Sequence, residues 1–303
     1  MQYHDITNLV DLLNHREKYQ PDGIAFSFLP DGETEEASIS YKNLDKKARA
    51  IASVLQSMKG DGSGKAERAL LLYQPGLEFI AAFFGCLYAR VIAVPVYPPK
   101  RNQHNNRLQA IISDAQATIV LTSISIMSDI EKSLKQEPES SSLRYIITDT
   151  VDSNNADYWQ PLQISSDTLA FLQYTSGSTG TPKGVMVSHG NLLHNLSVIY
   201  KCFEHTNNSI FVSWLPHYHD MGLIGGILQP IYGGFPAILM APVAFIQKPI
   251  RWLMTISRYK ATTSGAPNFA YDLCVNKIKP EKLASLDLSS WEISFNGGES
   301  VRA

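Results

Sequence analysis

The chain has 303 residues, and its hydrophobic fraction of 44% and charged fraction of 18% are those of a globular protein rather than a disordered one. The 26 basic and 28 acidic residues leave a net charge of −2, which predicts no surface for nucleic acid or for an anionic membrane. The three cysteines (Cys86, Cys202 and Cys274) are far apart and lack C-x-x-C spacing, so neither a disulfide framework nor a zinc site is predicted, and we expect a cytoplasmic protein. The most apolar stretch, residues 79–89, is too short for a membrane span, which needs about 20 residues, and the first residues lack the pattern of a secretory signal.

The first half of the chain alternates short aliphatic runs with helical patterns. The predicted strands are 69–73, 91–96, 118–122 and 144–148, and the predicted helices are 77–90, 107–115 and 124–134. Continuous apolar strands separated by helices are typical of a parallel sheet that is covered on both faces. This pattern predicts an α/β fold.

The alternation restarts after a polar break at residues 153–157. The clearest strands here are 210–215, 237–240 and 293–295, and the helical candidates are 222–228, 250–258 and 269–277. We therefore predict two α/β subdomains, each with a sheet covered by helices, at residues 1–165 and 166–303.

Residues 174–184 form a segment rich in serine, threonine and glycine that follows the strand-like residues 169–172. Glycines let backbone N–H groups approach an anion, hydroxyl groups add donors, and Lys183 adds a positive charge, so the segment predicts a polyphosphate-binding loop. A flexible linker is the alternative, but it would need neither Pro182 and Lys183 nor the strand-like residues 185–187 that follow. The segment is not a Walker loop, because Pro182 stands where that pattern has the glycine before its lysine.

Two further segments contain candidate site residues. His217, His219 and Asp220 lie close together after a strand, and three readings are open: a metal site, a structural histidine, or a binding residue. Residues 295–300 (Phe-Asn-Gly-Gly-Glu-Ser) follow a strand and are expected at the carboxyl edge of a sheet, where α/β folds bind ligands. An ordinary turn is the alternative there.

The loop at 174–184 resembles the signature loop of the adenylate-forming superfamily, which includes acyl-CoA synthetases, luciferases and the adenylation domains of peptide synthetases. The resemblance runs from about Tyr41 to the last residue. Residues 94–99, 214–223 and 266–273 resemble the fatty acyl-AMP ligases within that superfamily.

The resemblance implies functional roles for individual residues. His219 and Lys183 are implied as catalytic residues. Phe269 and Tyr271 could equally be core residues. The implied ATP- and AMP-binding residues are Thr175, Ser176, Gly177, Ser178, Thr179, Gly180, Thr181, Lys183, Asn296, Gly297, Gly298 and Glu299. The implied acyl-binding residues are His219, Asp220, Met221, Gly265, Ala266, Asn268 and Phe269.

The resemblance also implies the reaction: ATP and Mg²⁺ activate a long-chain fatty acid as acyl-AMP, with release of pyrophosphate, for transfer to the thiol of an acyl carrier protein or of a polyketide or peptide synthase. A fatty acyl-CoA ligase is one alternative, and a nucleotide- or fatty-acid-binding module without turnover is another. The magnesium-binding acid, the ribose-binding aspartate and the C-terminal lid domain with its lysine, which the family carries, have no counterpart in these 303 residues. We therefore expect no metal ligand within the chain and low activity of the chain by itself.

Overall fold

The computed structural model describes residues 6–58, 66–99, 106–134, 142–175 and 182–301. Its helices and strands alternate along the chain, which confirms the predicted α/β class. The helices are α1 (Leu9–Tyr19), α2 (Tyr41–Ser57), α3 (Leu77–Tyr88), α4 (Asn106–Ala115), α5 (Ile124–Leu134), α6 (His189–Cys202), α7 (Gln229–Gly233), α8 (Pro242–Gln247), α9 (Ile250–Tyr259), α10 (Asn268–Lys277) and α11 (Pro280–Leu283), with a π-helix at Met221–Leu228. The strands are β1 (Ile24–Leu29), β2 (Ala37–Ser40), β3 (Arg68–Leu72), β4 (Ile92–Val96), β5 (Ile119–Thr122), β6 (Arg144–Ile147), β7 (Leu169–Thr175), β8 (Lys183–Ser188), β9 (Phe211–Ser213), β10 (Ala237–Met240), β11 (Thr263–Ala266) and β12 (Ile293–Asn296).

The chain folds into two compact units. The first unit contains residues 1–19, 42–74 and 78–194, and the second contains residues 20–41, 75–77 and 195–303. Residue 165, at which the sequence places the seam between subdomains, lies inside the first unit, because β7 and β8 extend the sheet of that unit.

The first unit is built on a six-stranded sheet in the order β6-β5-β3-β4-β7-β8. Every neighbouring pair is parallel except β7 and β8, which are antiparallel. Helix α3 is buried along its whole length from Phe79 to Tyr88, as its all-round apolar sequence predicts. Each large side chain buried in this way contributes about 1.5–3 kcal/mol to stability.

The second unit has its own six-stranded sheet in the order β12-β11-β9-β10-β1-β2. All neighbouring pairs are parallel except β1 and β2, so this sheet also carries one antiparallel edge strand. The predicted strand at 210–215 is shorter than expected, since β9 ends at Ser213 and the following residues turn toward Pro216. No helix in the described parts of the chain combines the length and the apolar character that a membrane span requires.

Candidate functional site

Strands β7 and β8 position the two described ends of the predicted phosphate loop. Thr175, the last residue of β7, is the register partner of Lys183, the first residue of β8, so the antiparallel ladder holds the two residues opposite each other. Both side chains are exposed. The other predicted phosphate-binding residues (Ser176, Gly177, Ser178, Thr179, Gly180 and Thr181) lie outside the described residues. Their roles stay predictions.

A tyrosine anchors the end of β7 beside this pair. The buried Tyr174 hydroxyl donates a hydrogen bond to the Asp114 carboxylate in α4. Burial raises the pKa of Tyr174, and the hydrogen bond to Asp114 raises it further, so the phenol stays protonated. Gly184, the register partner of Tyr174, makes room for the ring, because a Cβ atom there would lie 2.9 Å from the tyrosine Cζ. Sequence analysis did not identify this contact, although the tyrosine and the glycine flank the loop in the sequence.

The remaining candidate residues lie at one edge of the second sheet. Strands β9, β11 and β12 are adjacent and parallel, so their carboxyl ends meet at the same edge. The segment after β9 carries His219, Asp220 and Met221. The acyl segment (residues 265–269) spans the end of β11, and the adenine segment (residues 296–299) spans the end of β12. The sheet edge is where parallel α/β sheets bind ligands.

His219 and Asp220 form a close polar pair at this edge. The His219 Nδ1 atom lies 2.6 Å from Asp220 Oδ1, and the two side chains are 58% and 54% exposed. The hydrogen bond that His219 donates to the Asp220 carboxylate raises the pKa of His219 above its ordinary value, although partial burial opposes the shift. The same bond lowers the pKa of the Asp220 carboxyl. The imidazole therefore keeps its proton to a higher pH than an isolated histidine does.

His217 differs from His219 in its environment. Its side chain is buried, and desolvation lowers its pKa to about 4, so the imidazole is neutral at neutral pH. No group of three or more His, Cys, Asp or Glu side chains that could hold a metal ion is found among the residues that the structure describes.

The π-helix begins directly after this pair. The Asp220 carboxylate accepts a hydrogen bond from the Met221 N–H at 2.6 Å and so caps the first turn. Gly222 lets the turn pack against the preceding loop, because a Cβ atom there would lie 2.1 Å from the Pro216 carbonyl oxygen. π-helical turns are rare and are frequent at functional sites. The sequence predicts a helix at 222–228, and the structure shows that its hydrogen bonding is of the π type.

Several contacts join the acyl segment to β12 and the adenine segment. Asn296 donates a side-chain hydrogen bond to Asn268 at 3.1 Å, and Glu299 Oε1 accepts one from the Phe269 N–H at 2.6 Å. Gly265 is closely covered, since a Cβ atom there would lie 2.4 Å from the Phe295 carbonyl oxygen. Tyr271, which sequence analysis left as a possible core residue, donates to that same carbonyl at 2.8 Å.

Met221 adds a further contact to the adenine segment. A Cβ atom built on Gly297 would lie 3.8 Å from the Met221 methyl carbon, and one built on Gly298 would lie 3.5 Å from its sulfur atom. The structure thus brings together the predicted acyl residues from β9 and β11 with the predicted adenine residues after β12.

An aromatic cluster borders the acyl segment. The Trp214 ring stacks on Phe245 with a centroid distance of 4.0 Å, and it lies 6.0 Å from the Phe269 ring in an edge-to-face arrangement. Phe269 is 42% exposed and is therefore not a core residue. Its ring offers an apolar surface at the same edge as His219. Sequence analysis missed Trp214, whose position at the end of an apolar strand was the available signal.

Comparison with known proteins gives a consistent result. The AMP-binding enzyme family matches residues 13–303. The medium-chain fatty acid–acyl-carrier-protein ligase JamA of Moorena producens (strain JHB) is 49% identical over 302 residues, which are 98% of this chain and 50% of that protein. A long-chain-fatty-acid–AMP ligase of Mycobacterium tuberculosis (strain CDC 1551 / Oshkosh) is 34% identical over 303 residues, which are 97% of this chain and 51% of that protein.

A solved structure is also similar. The fatty acyl-adenylate ligase of L. pneumophila, crystallised with acyl adenylate and pyrophosphate, matches with a TM-score of 0.90 and 46% identity. The match covers 99% of this chain and 51% of that one. The chain thus spans about half the length of the relatives that it matches.

Proposed function

We propose that this chain, which belongs to the AMP-binding enzyme family, carries the nucleotide- and acyl-binding part of an enzyme that activates a fatty acid as acyl-AMP. The observation that carries the proposal is the meeting of the His219 loop, the acyl segment and the adenine segment at one carboxyl edge. The L. pneumophila relative, whose structure contains acyl adenylate and pyrophosphate, supports the same reaction.

In this proposal the acid and the adenosine group bind at the carboxyl edge that carries His219, the acyl segment and the adenine segment. The half-exposed His219 imidazole can donate a hydrogen bond that orients the carboxylate of the acid, and the bond to Asp220, which raises the pKa of His219, favours the protonated form in which both ring nitrogens are donors. The exposed Phe269 ring provides an apolar wall for the acyl chain. Gly297 and Gly298 have no side chains, so a flat base can lie against the backbone of the adenine segment.

Two described residues are candidates for phosphate binding. Thr175 adds a hydroxyl donor and Lys183 adds a positive charge at the two ends of the predicted loop. Together they favour binding of the β- and γ-phosphates of ATP. Because the described residues include no group of three or more His, Cys, Asp or Glu side chains that could hold a metal ion, the phosphates of ATP would supply much of the coordination of a magnesium ion here.

The reaction is a displacement at phosphorus. A carboxylate oxygen attacks the α-phosphorus of ATP, the bond from that phosphorus to the bridging oxygen breaks, and pyrophosphate leaves with the electron pair. The product is a mixed anhydride of the acid and AMP. Positioning and charge neutralisation are the protein's main contributions to such a step.

The experiment is to incubate the purified chain with ATP, magnesium and a fatty acid, and to measure pyrophosphate release and acyl-AMP by mass spectrometry. We expect a low yield of product, in line with the low activity predicted for the chain by itself; the product should depend on the fatty acid and should be lost in His219→Ala. His194→Ala, which replaces an exposed histidine on α6, is the matched control and should leave the yield unchanged. If ATP binds but no acyl-AMP forms, this chain is a binding module and the proposal fails for the chain.

The acyl acceptor is the finer part of the proposal. JamA is a ligase that acts on an acyl carrier protein, and we propose the same class of acceptor here, with a medium- or long-chain acid as the substrate. A fatty acyl-CoA ligase is the second candidate, because a putative fatty-acid–CoA ligase of Mycobacterium tuberculosis (strain ATCC 25618 / H37Rv) is also 34% identical. Supplying excess coenzyme A to the acyl-AMP-forming reaction distinguishes the two, since rapid thioester formation supports the second candidate alone.

A further inference from the structure

Three hydrogen bonds tie the first turns of α10 to β12 and the adenine segment. They run from Asn296 to Asn268, from the Phe269 N–H to Glu299, and from the Tyr271 hydroxyl to the Phe295 carbonyl. The two residues joined by each bond are 24 to 30 positions apart in the sequence. The helix that presents Phe269 is therefore fixed to the segment that follows β12.

The contact made by Glu299 has a distinct character. The residue before α10 is Pro267, which provides no side-chain cap for the first N–H groups of the helix. Glu299 supplies the missing acceptor from 30 residues further along the chain, and the distance of 2.6 Å is short, as expected for a charge-assisted bond. A carboxylate at a helix amino terminus is also favoured by the helix dipole.

The position of this carboxylate matters for the proposed reaction. Glu299 directly follows Gly297 and Gly298, the residues proposed to bind the adenine group. Its carboxylate accepts a hydrogen bond from the backbone N–H of Phe269, the residue proposed to contact the acyl chain. A nucleotide that orders the adenine segment would thereby order the start of α10. By thermodynamic reciprocity, an acyl chain against Phe269 would in turn strengthen nucleotide binding.

We propose that Glu299 is a positioning residue that couples nucleotide binding to acyl binding through the amino-terminal turn of α10. The inference rests on the proposed function, and it gives Glu299 a role distinct from direct contact with the nucleotide. Loss of the carboxylate leaves each binding surface in place and removes the one of the three bonds that comes from beyond β12, since Phe295 and Asn296 are residues of the strand itself.

The test is a binding measurement on the chain with α,β-methylene-ATP, which cannot release pyrophosphate by cleavage at the α-phosphorus, and with dodecanoate. The dissociation constant of dodecanoate is measured without and with the nucleotide, and the ratio of the two values reports the coupling. In the natural chain we expect a ratio of about fivefold or more, which is typical of coupled sites. In Glu299→Ala we expect a ratio close to 1.

Glu292→Ala is the matched control, because it removes an equal charge from an exposed glutamate just before β12 and should preserve the ratio. Glu299→Gln keeps an acceptor but loses the charge, so its ratio should lie between those of the natural chain and Glu299→Ala. This variant decides the question if Glu299→Ala does not fold, since an unchanged ratio in Glu299→Gln then overturns the proposal.

A purely structural role for Glu299 predicts a different result. It would weaken dodecanoate binding equally with and without nucleotide, so the ratio would stay at its natural value and the proposal would be overturned. Binding of both ligands to the natural chain with a ratio of 1 would overturn the coupling alone. Failure of the natural chain to bind either ligand would overturn the proposed function, and the coupling with it.

Discussion

Substitution of Gly222 by alanine is expected to destabilise the second unit and to displace His219. A Cβ atom at this position would lie 2.1 Å from the Pro216 carbonyl oxygen and 3.1 Å from the Leu215 carbonyl oxygen, whereas real Cβ atoms essentially never come within 3.0 Å of a neighbour. The Pro216 oxygen must therefore move by at least 0.9 Å, the difference between 3.0 and 2.1 Å. Both neighbours are backbone atoms, so no side-chain rotation relieves the clash.

The displacement has consequences for stability and for activity. Overpacking of this kind costs about 1–3 kcal/mol of unfolding free energy. The Pro216 oxygen also accepts the His219 N–H at 3.1 Å, so its movement is transmitted to His219. A positional error of about 1 Å in a reacting group can reduce a rate on the order of 100-fold. We therefore expect both a lower urea midpoint and slower formation of acyl-AMP.

Gly225→Ala is the matched control within the same π-helix. A Cβ atom at Gly225 has nothing within 4 Å, and alanine is favoured over glycine in a helix by about 0.5–1 kcal/mol, so this variant should be at least as stable as the natural chain. Urea unfolding followed by circular dichroism gives the stability, and pyrophosphate release gives the rate. Equal midpoints and equal rates for Gly222→Ala and Gly225→Ala would refute the steric argument.

Two further predictions concern charged groups of the candidate site. Lys183→Ala should weaken ATP binding by about 10- to 150-fold in calorimetric titration while the fold is retained, because a charge-assisted contact is worth about 1.5–3 kcal/mol. Lys201→Ala, which replaces an exposed lysine of α6, is the control and should have no effect on ATP affinity. Equal affinities in the two variants would contradict the assignment of Lys183 to the phosphates. Asp220→Asn should lower the pKa of His219 toward 6.5 in an NMR titration, since the Asp220 hydrogen bond is the main cause that raises it. Folding raises the pKa of His219 and lowers the pKa of Asp220, so the pair stabilises the fold while both groups are charged. The stability lost in Asp220→Asn should therefore be largest between about pH 4 and 6.5, and it should shrink as the pH rises through the folded pKa of His219. A loss of stability that is constant from pH 5 to pH 9 would contradict this linkage.

The strands that sequence patterns identified mostly contain runs of aliphatic residues, although β1 (Ile-Ala-Phe-Ser-Phe-Leu), which is also apolar, was not predicted. Strand β3 (Arg-Ala-Leu-Leu-Leu) and strand β5 (Ile-Val-Leu-Thr) are buried, and their composition is typical of a parallel sheet. Strand β11 was missed because its sequence, Thr-Ser-Gly-Ala, has no large apolar residue. Strand β11 is buried because it pairs with β9 on one side and β12 on the other, and its own sequence does not indicate this pairing.

In the candidate site, contacts between residues adjacent in sequence could be predicted, whereas contacts between residues far apart in sequence could not. The chemistry of His219 and Asp220 and their position after a strand are visible in the sequence, because adjacent residues form the pair. The bond between Glu299 and the Phe269 N–H joins residues 30 positions apart, and it depends on the parallel register of β11 and β12. The family resemblance implied a nucleotide contact for Glu299, which stays a prediction, and the fold adds that its carboxylate is an acceptor for a helix amino terminus.

The three segments at the carboxyl edge of the second sheet are held in place by different means. Gly222 is closely covered by backbone atoms, the nearest at 2.1 Å from a hypothetical Cβ atom, and Gly265 is covered at 2.4 Å by both the ring and the carbonyl oxygen of Phe295. Close packing against the main chain therefore fixes the segment after β9 and the end of β11. A Cβ atom on Gly298 would make only ordinary van der Waals contacts, the nearest at 3.5 Å from the Met221 sulfur, but the φ of 84° lies in the left-handed region, so conformation rather than crowding requires a glycine there. The adenine segment is fixed to α10 mainly by the side chains of Asn296 and Glu299. A segment held by side-chain hydrogen bonds can shift without disrupting the sheet, whereas one held by backbone packing cannot. The adenine segment is therefore the part of this edge best suited to move when a nucleotide binds and to pass that movement to the acyl side.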